Sequence, residues 1–147
     1  MKSIISVIAS AALLLCITTA CGNKPPFERL EAAVDSVNTY FASQAEMTAP
    51  AAVLSYDRIT NTVKITYDLP SEHIADFFKE NIGMAEDILL KDVLPEAPCS
   101  LMKEIVDAEA PVMIVYDWKP DGHSEYLIES DRVKEAYKAA GADAPQQ

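Results

Sequence analysis

The stretch VMIVYDW, residues 112–118, is the most apolar strand-like run in the chain and decides the fold. β-branched and aromatic residues favour strands, and successive side chains of a strand point to opposite faces of the sheet. This alternation gives two faces, one with Val112, Ile114, Tyr116 and Trp118 and the other with Met113 and Val115. Apolar residues on both faces are typical of a central strand, so we place this run inside a sheet.

Two hairpins follow from the pattern around this strand. Residues 119–123 read Lys-Pro-Asp-Gly-His, in which Pro presets a turn and Gly accepts a positive φ. Tyr126–Ile128 then returns as the partner strand. Upstream, Val53–Tyr56 is one predicted strand, and residues 63–67 alternate apolar and polar as a half-buried second strand. The sequence therefore predicts four strands in two hairpins.

Helices are predicted on either side of each hairpin. Apolar residues at steps of three and four predict a first helix from Phe27 to about Met47 and a second, capped by Ser71, to Leu90. A shorter helix is predicted over Ser100 to Glu109. Ser130 begins a last helix. The elements thus follow one order twice: helix, hairpin, helix.

This repeated order hints at an internal α-β-β-α duplication. The dipeptide Tyr56-Asp57 recurs as Tyr116-Asp117, and Ser71 has a counterpart in Ser130. We predict one α+β domain over residues 27–140, in which a four-stranded antiparallel sheet is packed by helices. A flexible tail is expected at residues 141–147.

The first residues resemble the signal peptide of bacterial lipoproteins. Lys2 precedes an apolar run, Ile4–Ile17, that is too short to span a bilayer as a helix. The following Thr18-Thr19-Ala20-Cys21 resembles the lipobox of that family, with Thr18 where the family prefers Leu. The resemblance implies a signal peptide at residues 1–20, lipid chains such as palmitate on Cys21, and a short tether at residues 21–26. The alternative is an ordinary secretory signal with an incidental cysteine.

The net charge and the predicted anchor limit where the protein can be located and which partners it can bind. The resemblance implies a lipid-anchored protein of the cell envelope, and the lack of an acidic residue directly after Cys21 favours the outer membrane. The full chain has a formal net charge of −11, and removing residues 1–20 takes away Lys2 alone, which leaves −12. This acidic excess argues against binding to nucleic acid or to broad anionic lipid surfaces.

Cysteine usage predicts no disulfide within the mature domain. The chain has three cysteines, of which Cys16 would leave with the signal peptide and Cys21 would become a thioether. For Cys99 the sequence leaves two alternatives, a small buried apolar residue or a reactive or intermolecular thiol.

The leading functional hypothesis is a non-catalytic envelope lipoprotein that binds a protein partner or itself. The chain contains no Gly-rich phosphate loop and no Gly-x-Ser-x-Gly nucleophile motif. A sheet face with Met113, Val115 and Leu127 among polar residues would form the contact surface. The alternative for this face is that a helix, residues 71–90, covers it as a second layer.

Two other hypotheses come from different residues. A carbohydrate or other small ligand would stack on Tyr56, Tyr116 and Trp118 if these aromatic residues lie at one end of the sheet. An envelope hydrolase, ranked last, would use His123 with Asp117 or Asp121.

Metal binding is the least supported chemistry. His73 and Asp76 share a helix face, and His123 lies near Asp121 and Glu125, so each group offers imidazole and carboxylate ligands. Neither spacing matches a known metal motif, and we assign no metal and no cofactor from the sequence.

Overall fold

The computed structural model describes residues 23–43 and 52–143 and consists of four strands with helices before, between and after them. In chain order these elements are helix α1 (Pro26–Ser43), strands β1 (Ala52–Asp57) and β2 (Thr62–Leu69), helices α2 (Glu72–Glu80) and α3 (Ile82–Ile88), a π-helical turn (Leu89–Val93), a 3₁₀ turn (Pro98–Ser100), helix α4 (Leu101–Asp107), strands β3 (Val112–Trp118) and β4 (Gly122–Ile128), and helix α5 (Ser130–Asp143). Helix α5 therefore runs past the predicted end of the domain at residue 140. Within the described ranges, no helix combines the length and the apolar character needed to cross a membrane.

The sheet has the order β1-β2-β3-β4. Both hairpins are antiparallel, but β2 and β3 are parallel, with Val63 beside Val112 and Leu69 beside Trp118. The predicted α+β class and both hairpins are confirmed, whereas the prediction of a fully antiparallel sheet is wrong at this central pair. The helical connection between Leu69 and Val112 returns the chain to the starting end of the sheet, which is what a parallel neighbour requires.

The hairpin geometry bears on the predicted duplication. Each hairpin places its first strand on the same side of its second strand, yet β1 and β3 run in opposite directions. With the helices packed on one face, the two hairpins have opposite hands in the sheet and cannot be superposed by a rotation. The element order repeats, but the topology gives no support for the copying of a single folded unit.

The described helices pack on the sheet face that carries Leu54, Ile65 and Ile114. Helices α2 and α3 belong to this layer, since the Phe78 ring lies 5.5 Å from the Tyr116 ring, measured between centroids. The expectation that residues 71–90 cover the second face is therefore wrong. That second face has no described helix over it, and we call it the open face.

The predicted helix over residues 71–90 is divided into shorter segments. Ser71 begins it as predicted, because its hydroxyl accepts a hydrogen bond from the Ile74 amide at 3.5 Å. Asn81 ends α2, and both its backbone N–H and its side-chain Nδ2 donate to the Phe77 carbonyl. Gly83 lies in the first turn of α3.

Helix α1 is attached to both the sheet and α4. Asn38 Nδ2 donates to the Leu54 carbonyl at 2.6 Å, and the Leu54 amide donates to Asn38 Oδ1 at 2.9 Å. These two bonds occupy the backbone groups of Leu54 on the outer edge of β1, so another strand could pair there only by displacing Asn38. Arg29 contacts Glu104 at 2.9 Å and Asp107 at 3.0 Å, which joins α1 to α4.

Candidate functional site

The open face combines apolar and charged side chains in rows set by the strand register. One row runs Ser55, Lys64, Met113, Leu127, and the next runs Val53, Thr66, Val115, Glu125. Val53 is 57 % exposed and Leu127 is 42 % exposed, whereas Leu54 and Ile128, their neighbours on the helix-covered face, are buried. The open face therefore presents apolar side chains on both edge strands.

The structure brings together the three residues predicted to form a partner surface. Met113 and Leu127 are cross-strand neighbours, and Val115 follows on the same face of β3. Val115, which pairs with Thr66 and Glu125 on the adjacent strands, is nevertheless only 4 % exposed. The accessible apolar part of the surface is therefore Leu127 on the edge strand β4, with Met113 beside it on β3, and Val53 on the opposite edge strand β1.

A histidine held between two carboxylates lies on the same face. The register places His123 opposite Asp117, and His123 Nδ1 lies 2.6 Å from Asp117 Oδ1. His123 Nε2 lies 3.1 Å from Glu125 Oε1. These hydrogen bonds, the one to Asp117 above all, raise the pKa of His123 above its ordinary value of 6.5. The structure thus brings Asp117 and Glu125, rather than Asp121, to the histidine.

This arrangement decides what the imidazole can do chemically. With a carboxylate at each ring nitrogen, the protonated form donates both hydrogen bonds and is stabilised. Both ring nitrogens face a carboxylate, so neither is directed at a substrate as the general base that the hydrolase hypothesis needs. The protonated form would set one positive charge between two negative ones on the open face.

The predicted aromatic ligand site is split by the strand register. Tyr56 lies beside Val63, which pairs with Val112 at the start of β3, while Tyr116 and Trp118 lie at the end of β3. The expectation that the three aromatic residues share one end of the sheet is therefore wrong. All three also belong to the helix-covered face, and the Tyr56 hydroxyl donates to Asn61 Oδ1 at 2.7 Å.

Trp118 is engaged by its own neighbours. A Cβ added to Gly122 would lie 1.9 Å from Trp118 Cε2, so the glycine backbone packs directly against the indole ring. The Lys79 ammonium is 5.0 Å from the ring centroid, at cation–π distance. These contacts give the indole a structural role at the end of the β3–β4 hairpin.

A cavity that the sequence did not predict lies on the helix-covered face. Its volume is about 180 Å³, and its walls come from the sheet, from α2 and α3, and from the π-helical turn. The lining residues include Tyr67, Tyr116, Phe78, Ile88 and Val93. The sequence did carry an indication of this cavity. Alternation places Tyr67 and Tyr116 on the core face of their strands, and Phe77-Phe78 makes the apolar stripe of α2 wider than helical spacing alone requires.

The two tyrosines of this cavity are close neighbours. They are register partners on β2 and β3, and their ring centroids are 5.8 Å apart. Burial raises the pKa of Tyr67, and burial together with the nearby Tyr67 raises the pKa of Tyr116 to about 12. Both phenols are therefore neutral hydrogen-bond donors at physiological pH.

The metal hypotheses can be placed on the structure. Among residues 23–43 and 52–143, no group of three histidine, cysteine or acidic side chains has a geometry that could hold a metal ion. Asp76, the predicted companion of His73, instead contacts Lys79 at 2.6 Å.

The cysteines fall partly outside the described residues. Cys21, the predicted lipid-attachment residue, lies outside them. Cys99 is disulfide-bonded. The prediction of no disulfide within the mature domain stays a prediction, because the described residues contain no second cysteine.

Comparisons with protein-family models, with curated proteins and with solved structures found no match for this chain.

Proposed function

We propose that the protein is a non-catalytic lipoprotein of the cell envelope whose α+β domain binds a protein partner through the open face. The observation that carries the proposal is a four-stranded sheet with all described helices on one face and exposed apolar residues, Val53 and Leu127, on the other. Exposed apolar side chains rimmed by polar ones are typical of protein contact surfaces.

The charges on the open face give such a contact its specificity. Lys64 lies beside Met113, and the acidic pair Asp117 and Glu125 flanks His123. A partner must match this arrangement, since a like charge set against any of these groups would weaken the complex. The apolar residues supply affinity, and the charged residues select the partner.

Anchoring through Cys21 would keep this domain at a membrane surface, outer rather than inner. Acyl chains contribute about 0.8 kcal/mol for each buried methylene, and stable anchoring takes more than one chain. The proposal rests on the resemblance of residues 18–21 to a lipobox, and residues 23–26 would serve as part of the tether.

The proposed partner contact is tested by crosslinking in living cells, followed by affinity capture of the tagged protein and mass spectrometry. Leu127→Glu and Val53→Glu each place a charge on the open face and should remove the main crosslinked protein. A hot-spot loss of about 2 kcal/mol corresponds to an affinity about thirty-fold lower.

Ile59→Glu is the matched control. Ile59 is 97 % exposed in the turn between β1 and β2, so the substitution makes the same chemical change away from the open face. A main partner that survives Leu127→Glu and Val53→Glu would contradict the proposal. A complex with a second copy of this chain would show instead as a doubled mass in solution that both variants return to monomer.

The anchor has an independent test. Labelling with a palmitate analogue should mark the wild-type protein and not Cys21→Ala. Lipid on the Cys21 sulfur also excludes that sulfur from any disulfide, so peptide mapping of the mature protein without reduction adds a second readout. A Cys21–Cys99 disulfide in the mature protein would refute lipidation.

A further inference from the structure

The cavity between the helices and the sheet has the size of a small-molecule site. Apolar protein cavities of about 150 Å³ bind a ligand such as benzene, and this cavity measures about 180 Å³. Its helix-side wall includes Ile88 and Val93, which are 48 % and 40 % exposed, so apolar side chains connect the cavity with the surface.

The π-helical turn is part of this wall. Leu89 and Val93, its first and last residues, both line the cavity. Single π-turns next to α-helices are rare and are found frequently at functional sites. Here the turn follows α3 directly and places two apolar side chains on the cavity.

Two phenols give the apolar cavity its hydrogen-bonding groups. Among the described residues, the Tyr67 and Tyr116 hydroxyls form no hydrogen bond. Neither hydroxyl is a fully buried polar group, so both keep some contact with solvent. Each phenol therefore offers an unoccupied donor from a residue that lines the cavity. A ligand oxygen placed there would accept a hydrogen bond in a largely apolar surrounding, where such a bond is strong.

The charge around the cavity selects against ions. Among residues 23–43 and 52–143, no lysine, arginine or histidine lines the cavity, so these residues offer an anion no compensating charge. The same described lining contains no carboxylate to pair with a cation. Both findings favour a neutral ligand.

We propose that this cavity binds a small neutral ligand, of about the size of a six-membered ring, that carries a carbonyl oxygen and accepts a hydrogen bond from Tyr67 or Tyr116. The site lies on the opposite side of the sheet from the open face, so it does not depend on the proposed partner contact. The apolar wall binds the ring, and the phenols recognise the oxygen.

The experiment titrates the purified protein with acetophenone, ethylbenzene and benzoate and follows the methyl resonances of Ile88, Leu89, Val93 and Ile114. Ethylbenzene has a similar shape without the acceptor, and benzoate adds a negative charge. Acetophenone should shift these resonances and bind at least five-fold more tightly than ethylbenzene, and benzoate should cause no shift.

Isosteric variants test the role of the hydroxyls. The double variant Tyr67→Phe with Tyr116→Phe should bind acetophenone at least five-fold more weakly and ethylbenzene unchanged. Tyr126→Phe is the control, because its hydroxyl donates to Glu86 at 2.7 Å and the residue does not line the cavity. Ala85→Leu, which places a larger side chain in the wall, should abolish the shifts.

Two results would overturn the proposal. Equal binding of acetophenone and ethylbenzene by the wild-type protein would show an apolar cavity without polar recognition. An absence of shifts with every probe would show that the cavity does not accept a ligand of this size.

Discussion

Replacement of Gly122 by alanine is expected to destabilise the domain strongly, because the end of the β3–β4 hairpin has no room for a methyl group. The new Cβ would lie 1.9 Å from Trp118 Cε2, 2.0 Å from Nε1 and 2.3 Å from Cδ2. All three atoms belong to the rigid indole ring, so the indole must move as a whole or the strand must shift. The φ angle of Gly122 is not in the left-handed region, and the cost is therefore steric.

The magnitude follows from what the movement disrupts. Overpacking of a well-filled site typically costs about 1–3 kcal/mol. Displacement of the indole also breaks the contact with Lys79, worth about 0.5–1 kcal/mol at an exposed site. We expect the free energy of unfolding to fall by about 2–4 kcal/mol, a large part of the about 5–15 kcal/mol that stabilises a typical domain.

The assay is urea unfolding, followed by tryptophan fluorescence and by circular dichroism. Trp118 is the single tryptophan of the chain, so its emission reports on this contact directly. Gly83→Ala is the matched control, because a Cβ at Gly83 meets no atom within 4 Å and an alanine in a helix is favoured over glycine by about 0.5–1 kcal/mol. The two glycine-to-alanine changes should thus have opposite signs.

A second comparison isolates the clash. In a Trp118→Leu background the penalty of Gly122→Ala should largely disappear, as measured by circular dichroism, because the two residues are in direct contact. An unchanged unfolding midpoint and emission for Gly122→Ala in the wild-type background would refute the reasoning.

Two further predictions concern the open face and the edge of the sheet. His123 should titrate above pH 6.5 by NMR, and Asp117→Asn should lower this pKa more than Glu125→Gln does. Because the pKa is raised in the folded protein, the stabilisation is complete below pH 6.5 and is lost as the pH rises through the folded pKa. A titration at or below pH 6.5 would contradict this prediction. Asn38→Ala should lower the free energy of unfolding by about 1–3 kcal/mol, measured by urea unfolding, and should promote aggregation. The substitution leaves the Leu54 amide and carbonyl without side-chain partners. Wild-type stability of this variant would contradict the prediction.

The secondary structure was largely predictable because each element carries its own period. Residues 63–67 alternate strictly, and Phe27, Leu30 and Val34 follow helical spacing, so both the type and the order of these elements are determined locally. The parallel pairing of β2 with β3 was not predictable in this way. Alternation tells which side chains face the core, but not which strand is the neighbour or in which direction it runs.

The candidate site shows the same division between local and long-range information. Met113, Val115 and Leu127 were assigned to one face by alternation, and they share it. The contact of His123 with Asp117 depends on register, which no single strand encodes. The cavity forms only because parallel pairing of β2 with β3 places Tyr67 beside Tyr116, and the sequence pattern does not predict that pairing.

The route by which a partner could meet the sheet is narrowed by Asn38. A sheet binds another chain either through backbone groups at an edge or through side chains on a face. At β1 the edge is occupied at Leu54, because the Leu54 amide and carbonyl bond to the Asn38 side chain. Val53, the next residue, is 57 % exposed on the open face of the same strand. A partner strand at β1 would therefore have to displace the Asn38 side chain, which favours contact through side chains on the face. Val53→Glu should weaken partner binding more than a change that alters only the strand edge.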